Sequence, residues 1–136
     1  MDSRFVEKFL TVFKPRDNDC EGWLYVYERN LDRQNLIKGK INDVILFKVG
    51  RTVKTPQSRV SQQEISNGES YHVVMSFKSK FHKFVEYAIH WMFAVNRVVK
   101  TDSLDGRTEW FLIDEESLIQ GIDKLRQAMK HIYKDI

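Results

Sequence analysis

The chain has 136 residues, 42% apolar and 30% charged, with six glycines and two prolines, a balance that suits one folded domain and excludes a disordered or fibrous chain. A net charge of +3 and a pI near 9.0 favour polyanions over membranes or acidic-protein docking as partners, without specifying any chemistry. The single cysteine, Cys20, excludes an internal disulfide, and His72, His82, His90 and His131 lack zinc-finger spacing.

In chain order, Met1 to Pro15 mixes charged with apolar residues and so lacks the core of a signal peptide. No apolar run has membrane length, and an intracellular protein, cytoplasmic or nuclear, is expected. Phe5, Phe9, Val12 and Phe13 recur at helical spacing and predict an N-terminal helix over 4–13. Trp23-Leu24-Tyr25-Val26-Tyr27, behind Gly22, is an aromatic and β-branched strand pattern. The polar stretch from Glu28 to Asp43, with Arg29, Arg33, Lys38 and Lys40 and a break at Gly39, reads as a long hairpin connection, a basic flap in outline.

Val44 to Val49 resumes strand character and stops at Gly50. Thr55-Pro56 is a helix start, Gln57 to Ile65 the helix, and Asn67-Gly68 its end, with Arg59 and Gln63 on one face. Tyr71 to Phe77 predicts a third strand. Ser79 caps a predicted helix over 80–95, apolar at Phe81, Phe84, Val85, Ala88, Ile89 and Met92, while Lys83, Glu86, His90 and Arg97 form a separate polar stripe. Thr108 to Ile113 reads as a short strand, and Asp114 caps a final helix, 115–134, buried through Leu118, Ile122, Leu125, Met129 and Ile132. The expected fold is a single α+β domain over 1–136, a small mixed or antiparallel sheet flanked by helices.

Five elements in this order carry a resemblance: Trp23-Leu24-Tyr25, Lys48-Val49-Gly50-Arg51-Thr52, Arg59 in the Pro56-led helix, Glu86-Tyr87-Ala88-Ile89-His90, and Thr108-Glu109-Trp110-Phe111. The set resembles the GIY-YIG nuclease superfamily, closest to the branch of phage and large-virus proteins that read K-I-G-R-T, then E-x-x-x-H, then E-W-F. The resemblance covers about 22–113. Each element alone is a weak signal; their shared order and spacing is the argument.

The resemblance implies a metal-dependent endonuclease acting on DNA, duplex or branched. Tyr25 and Arg59 would handle nucleophile and phosphate, and Glu86 alone would hold Mg2+ or Mn2+, an ion that keeps most of its waters. Arg59 offers planar donors to a phosphate, and Tyr25 accepts or relays a proton. The sequence departs from the family at Trp23, where Gly is usual, and at Lys48, where the second Tyr is usual. Lys48 then neutralises phosphate or acts as a base. His90 has three readings: second ligand, general base or core-edge histidine. Glu109 and Trp110 are assigned to packing and a loop hydrogen bond, secondary to the site. Nucleic-acid contacts are expected from Arg51, Thr52 and Lys54 and from Arg29, Lys38 and Lys40 of the connection. The bland alternatives are a half-buried strand tyrosine at Tyr25, solvated arginines at 51 and 59, and an exposed Glu86 paired with Lys83 or His90. Alternative functions are a nucleic-acid-binding domain without turnover and a protein-interaction adaptor. A domain of this size with little outside its core is expected to need a homodimer or a separate partner for specificity.

Overall fold

The computed structural model describes residues 3–37, 44–98 and 109–133. Strands β1 (Gly22–Arg29), β2 (Val44–Thr52), β3 (Tyr71–Ser79), β4 (Arg97–Val98) and β5 (Trp110–Asp114) form one sheet in the order β3-β1-β2-β5-β4, every pairing antiparallel. Helices α1 (Ser3–Val12), α2 (Asn30–Ile37), α3 (Pro56–Asn67), α4 (His82–Met92) and α5 (Glu115–Tyr133) surround it. This is the expected α+β architecture, with the sheet wholly antiparallel.

Side chains alternate across a strand, so each strand feeds two cores. Leu24 and Val26 of β1, Ile45, Phe47 and Val49 of β2, and Phe111 and Ile113 of β5 pack with α1, α4 and α5 in the larger one. Tyr25, Tyr27, Tyr71 and Trp110 point the other way and meet Val60 of α3 in a second, aromatic cluster. Tyr27 stacks on Tyr71 at 4.2 Å between centroids and meets Trp110 edge-on at 5.6 Å. Burying each such ring contributes on the order of 1.5–3 kcal/mol. The candidate site residues Tyr25 and Lys48 lie mid-strand on this aromatic face of β1 and β2.

Helix α3 is built as its sequence indicates. Thr55 accepts a hydrogen bond from Ser58 N at 3.3 Å, Pro56 opens the first turn, and Gly68, at φ 65°, closes the last with its N–H on Glu64 O. Four expectations need correction. Residues 30–37 form helix α2 rather than open connection. Its polar sequence has no apolar stripe and is held instead by ion pairs, Arg29 to Asp32 at 2.7 Å and Arg33 to the buried Glu28 at 2.8 Å. Helix α1 buries Val6, Phe9 and Leu10 while Val12 is exposed, because the arc facing α5 lies one residue round from the one expected. Helix α4 begins at His82, and its cap comes from afar. Asp19 accepts from Lys83 N at 3.1 Å and Phe84 N at 2.9 Å, while Ser79 lies in β3. Ile132 is half exposed, beyond the part of α5 that reaches the core. The short strand β4 has no clear signal in the sequence. Among the described residues no helix is long and apolar enough to cross a membrane.

Candidate active site

The register of β1 on β2 sets Tyr25 opposite Gly50 and Tyr27 opposite Lys48. Directly paired residues project to the same face, so Tyr25 and Lys48 both point toward the α3 side. Gly50 leaves room for the tyrosine: a Cβ there would lie 2.5 Å from Tyr25 Oη and 2.6 Å from its Cζ. Gly50 does not have a positive φ, so alanine fits the backbone and strains only the phenol. If Tyr25 takes part in cleavage, Gly50→Ala should slow it about 100-fold, the scale of a 1 Å misplacement, with the far-UV circular dichroism unchanged. A rate within about twofold of wild type would remove Tyr25 from the reaction.

Arg59, one turn into α3, hydrogen-bonds the Tyr25 side chain. Burial pushes the Tyr25 phenol up to about 12; the Glu109 carboxylate adds to the rise and Arg59 opposes it. Tyr25 is therefore a neutral hydroxyl near pH 7, able to hold or relay a proton but not standing ready as a phenolate. Lys48 is fully buried and forms an ion pair with Glu109. Glu109 is fixed just before β5, its carbonyl accepting from Val49 N at 3.0 Å.

Glu86 comes from α4. It is far less exposed than a polar helix stripe implies, with 16% of its side chain accessible, and its Oε1 lies 3.5 Å from Arg51 Nε. Burial pushes its carboxyl up to about 7; Glu109 adds to this, and Arg51 and Lys48 pull it down. Tyr25 in turn feels Glu86. One electrostatic environment therefore joins α4, β1, β2 and the start of β5. Lys48, Arg51 and Arg59 give it three positive charges against two carboxylates, net +1, and more when Glu86 is protonated. That balance suits an anionic ligand.

His90, one turn after Glu86, donates through Nε2 to Val49 O at 3.0 Å and sits edge-on to Phe111 at 5.1 Å. Burial lowers its pKa, and the hydrogen bond ties α4 to β2 one turn from Glu86. Of the expected nucleic-acid contacts, Arg51 and Lys54 are exposed where β2 ends, and Thr52 Oγ1 accepts from Lys54 N at 3.1 Å. Arg29 stands four residues beyond Tyr25 on β1, roughly 13 Å away, and is engaged by Asp32 and Glu69. Lys38 and Lys40 lie outside the described residues. Trp110 is core, as the sequence suggests. Glu109 is the site residue that sequence reasoning underrated. Its position beside Trp110 was on view, but its partner is a lysine 61 positions away in sequence.

A family model for the T5orf172 domain matches residues 22–126, most of the chain. The protein belongs to the T5orf172 domain family. T5orf172 is a phage-derived, nuclease-associated domain, and the matched region contains Tyr25, Lys48, Gly50, Arg59, Glu86 and Glu109. Helix α1 and the loop up to Glu21 precede it. No curated protein and no solved structure matches the chain.

Proposed function

We propose that this T5orf172 domain is a metal-dependent endonuclease that cleaves DNA phosphodiester bonds at a GIY-YIG-type site. The observation that carries the reading is the convergence of Tyr25, Lys48 and Arg59 with the two coupled carboxylates Glu86 and Glu109. The residues suit a hard divalent cation such as Mg2+ or Mn2+. Glu86 is a carboxylate whose surroundings disfavour its own charge, so a cation beside it relieves a cost already present. No cluster of three or more metal-ligating side chains occurs among the described residues, which fits an ion held by one carboxylate, waters and substrate phosphate. When bound, such an ion supplies charge stabilisation at the phosphorus and a more acidic water.

The chain's own groups do the rest. Arg59 places guanidinium donors on the phosphate oxygens. Tyr25 orients the attacking water through its neutral hydroxyl, since a phenol at about 12 is too rarely ionised to serve as a free base. Lys48 holds Glu109 in place and keeps positive charge under the site, where developing negative charge gains most. His90 positions Glu86.

The phenol's high pKa and the lysine in place of the second tyrosine also favour a second reading, a DNA-binding domain without turnover. Supercoiled plasmid separates the two. Nicked circles that appear with magnesium or manganese and stop with chelator support the nuclease; retarded but uncut plasmid supports the binder.

Salt tests the phosphate contacts. If Arg51, Lys54 and Arg59 each touch a phosphate, log affinity for duplex DNA should fall against log salt with a slope near −0.9 per contact, or roughly −2.7 for three. A flat response would point to a protein partner instead.

A further inference from the structure

The loop after α1, from Phe13 to Asp19, and the first half of α4 border an open cavity of about 410 Å3, within the roughly 300–1,000 Å3 usual for ligand sites. Its walls are unusual in composition. Phe13 and Tyr87 line it with Lys14, Arg16 and Lys83, and Tyr87 is half exposed. The ring continues an aromatic ridge, with Phe13 edge-on to Tyr87 at 5.8 Å and Trp91 stacked on Phe5 at 4.6 Å. Trp91 and Phe5 are both exposed large apolar side chains.

The three cations are exposed and form no ion pair among the described residues. Asp19 also lines the cavity, yet its carboxylate is consumed by the backbone N–H groups of Cys20, Lys83 and Phe84. An open aromatic face lined by three cations against one carboxylate, net +2, is complementary to a chain that offers flat π surfaces and regular negative charges together. Single-stranded nucleic acid is that ligand; a duplex hides its base faces. Tyr87 follows Glu86 on α4, turned about 100° round the helix, so the cavity is separate from the cleft. Phe13, Lys14 and Arg16 also precede the residues the family model matches.

We propose that this face binds a single-stranded nucleic-acid segment, with one base stacked on Tyr87 and neighbouring phosphates on Lys14, Arg16 and Lys83. The inference does not require the cleft to cut. Fluorescence anisotropy with a labelled oligothymidine of about 12 nucleotides, and with a hairpin duplex, both in chelator, tests it. Tyr87→Ala should weaken single-strand binding roughly tenfold and leave duplex binding within about twofold. The triple variant Lys14→Gln, Arg16→Gln, Lys83→Gln alters only exposed side chains and guards against a folding failure at Tyr87. It should flatten the single-strand salt slope by roughly 2, near 0.7 per lost contact. Wild-type single-strand affinity and slope in the triple variant would overturn the proposal. So would a wild-type dimer in sedimentation that Tyr87→Ala converts to monomer, because the aromatic face would then belong to a second copy.

Discussion

Replacing Glu86 by glutamine should abolish metal-dependent cleavage while making the cation-free protein more stable at pH 8. The Glu86 carboxyl rises from 4.5 to about 7 on folding, so between those values the folded chain binds a proton that the unfolded chain releases. The resulting stabilisation is complete below about 4.5 and is lost as pH rises through 7. At pH 8 the folded protein carries an ionised carboxylate in surroundings that disfavour it, at a cost of about 3 kcal/mol. Glutamine keeps the shape and removes the charge. The lost pair with Arg51 subtracts little, since that guanidinium is 40% exposed and 3.5 Å away. Thermal melts should therefore show the variant above wild type by about 5–10 °C at pH 8, with the gap closing toward pH 5. Magnesium should raise the wild-type midpoint and leave the variant's unchanged. A variant that melts lower at pH 8 would mean that Glu86 is a structural anion.

Lys48→Met should cut the cleavage rate by about two orders of magnitude, the scale of losing one charge-stabilising group. Duplex affinity should stay within about twofold of wild type. Lys48 is fully buried on Glu109, so its ammonium is not free to anchor phosphate from solvent, and methionine fills most of its volume. The pH profile should move as well. Lys48 holds the Glu86 carboxyl down, so without it the rise in activity should begin above pH 7. Equal losses in binding and cleavage would instead make Lys48 a phosphate contact. An unchanged rate would exclude it from the chemistry.

What the sequence conveys here is mostly local. Trp23 to Tyr27 and Val44 to Val49 announce strands because aromatic and β-branched residues fit a pleated, half-buried surface. Thr55-Pro56 and Gly68 bound α3 because caps obey backbone rules a few residues long. The misreadings are non-local. Helix α2 rests on charges that reach Glu28 and Glu115, and α4 is capped by Asp19, more than 60 residues earlier. In α1, two overlapping apolar arcs were available, and only the position of α5 selects Val6 and Leu10 over Phe5 and Val12.

The candidate site divides in the same way. Tyr25, Gly50, Arg59 and Glu86 stand out because their order matches a family pattern. The high pKa of Tyr25 and the burial of Glu86 follow from packing between layers, which no spacing encodes. Lys48 is legible as a departure from the pattern, but its pairing with Glu109 appears only once β5 lies beside β2. His90, one turn from Glu86, resembles a ligand by position, and its hydrogen bond to Val49 O, 41 residues back, is invisible to spacing.

The most direct test sets wild type and Glu86→Gln side by side on supercoiled plasmid at pH 8 across a manganese titration. A cation held by Glu86 predicts nicking by wild type that saturates with manganese and ceases in chelator, and no nicking by the variant at any concentration. Equal nicking by both proteins, or nicking that persists in chelator, would contradict it.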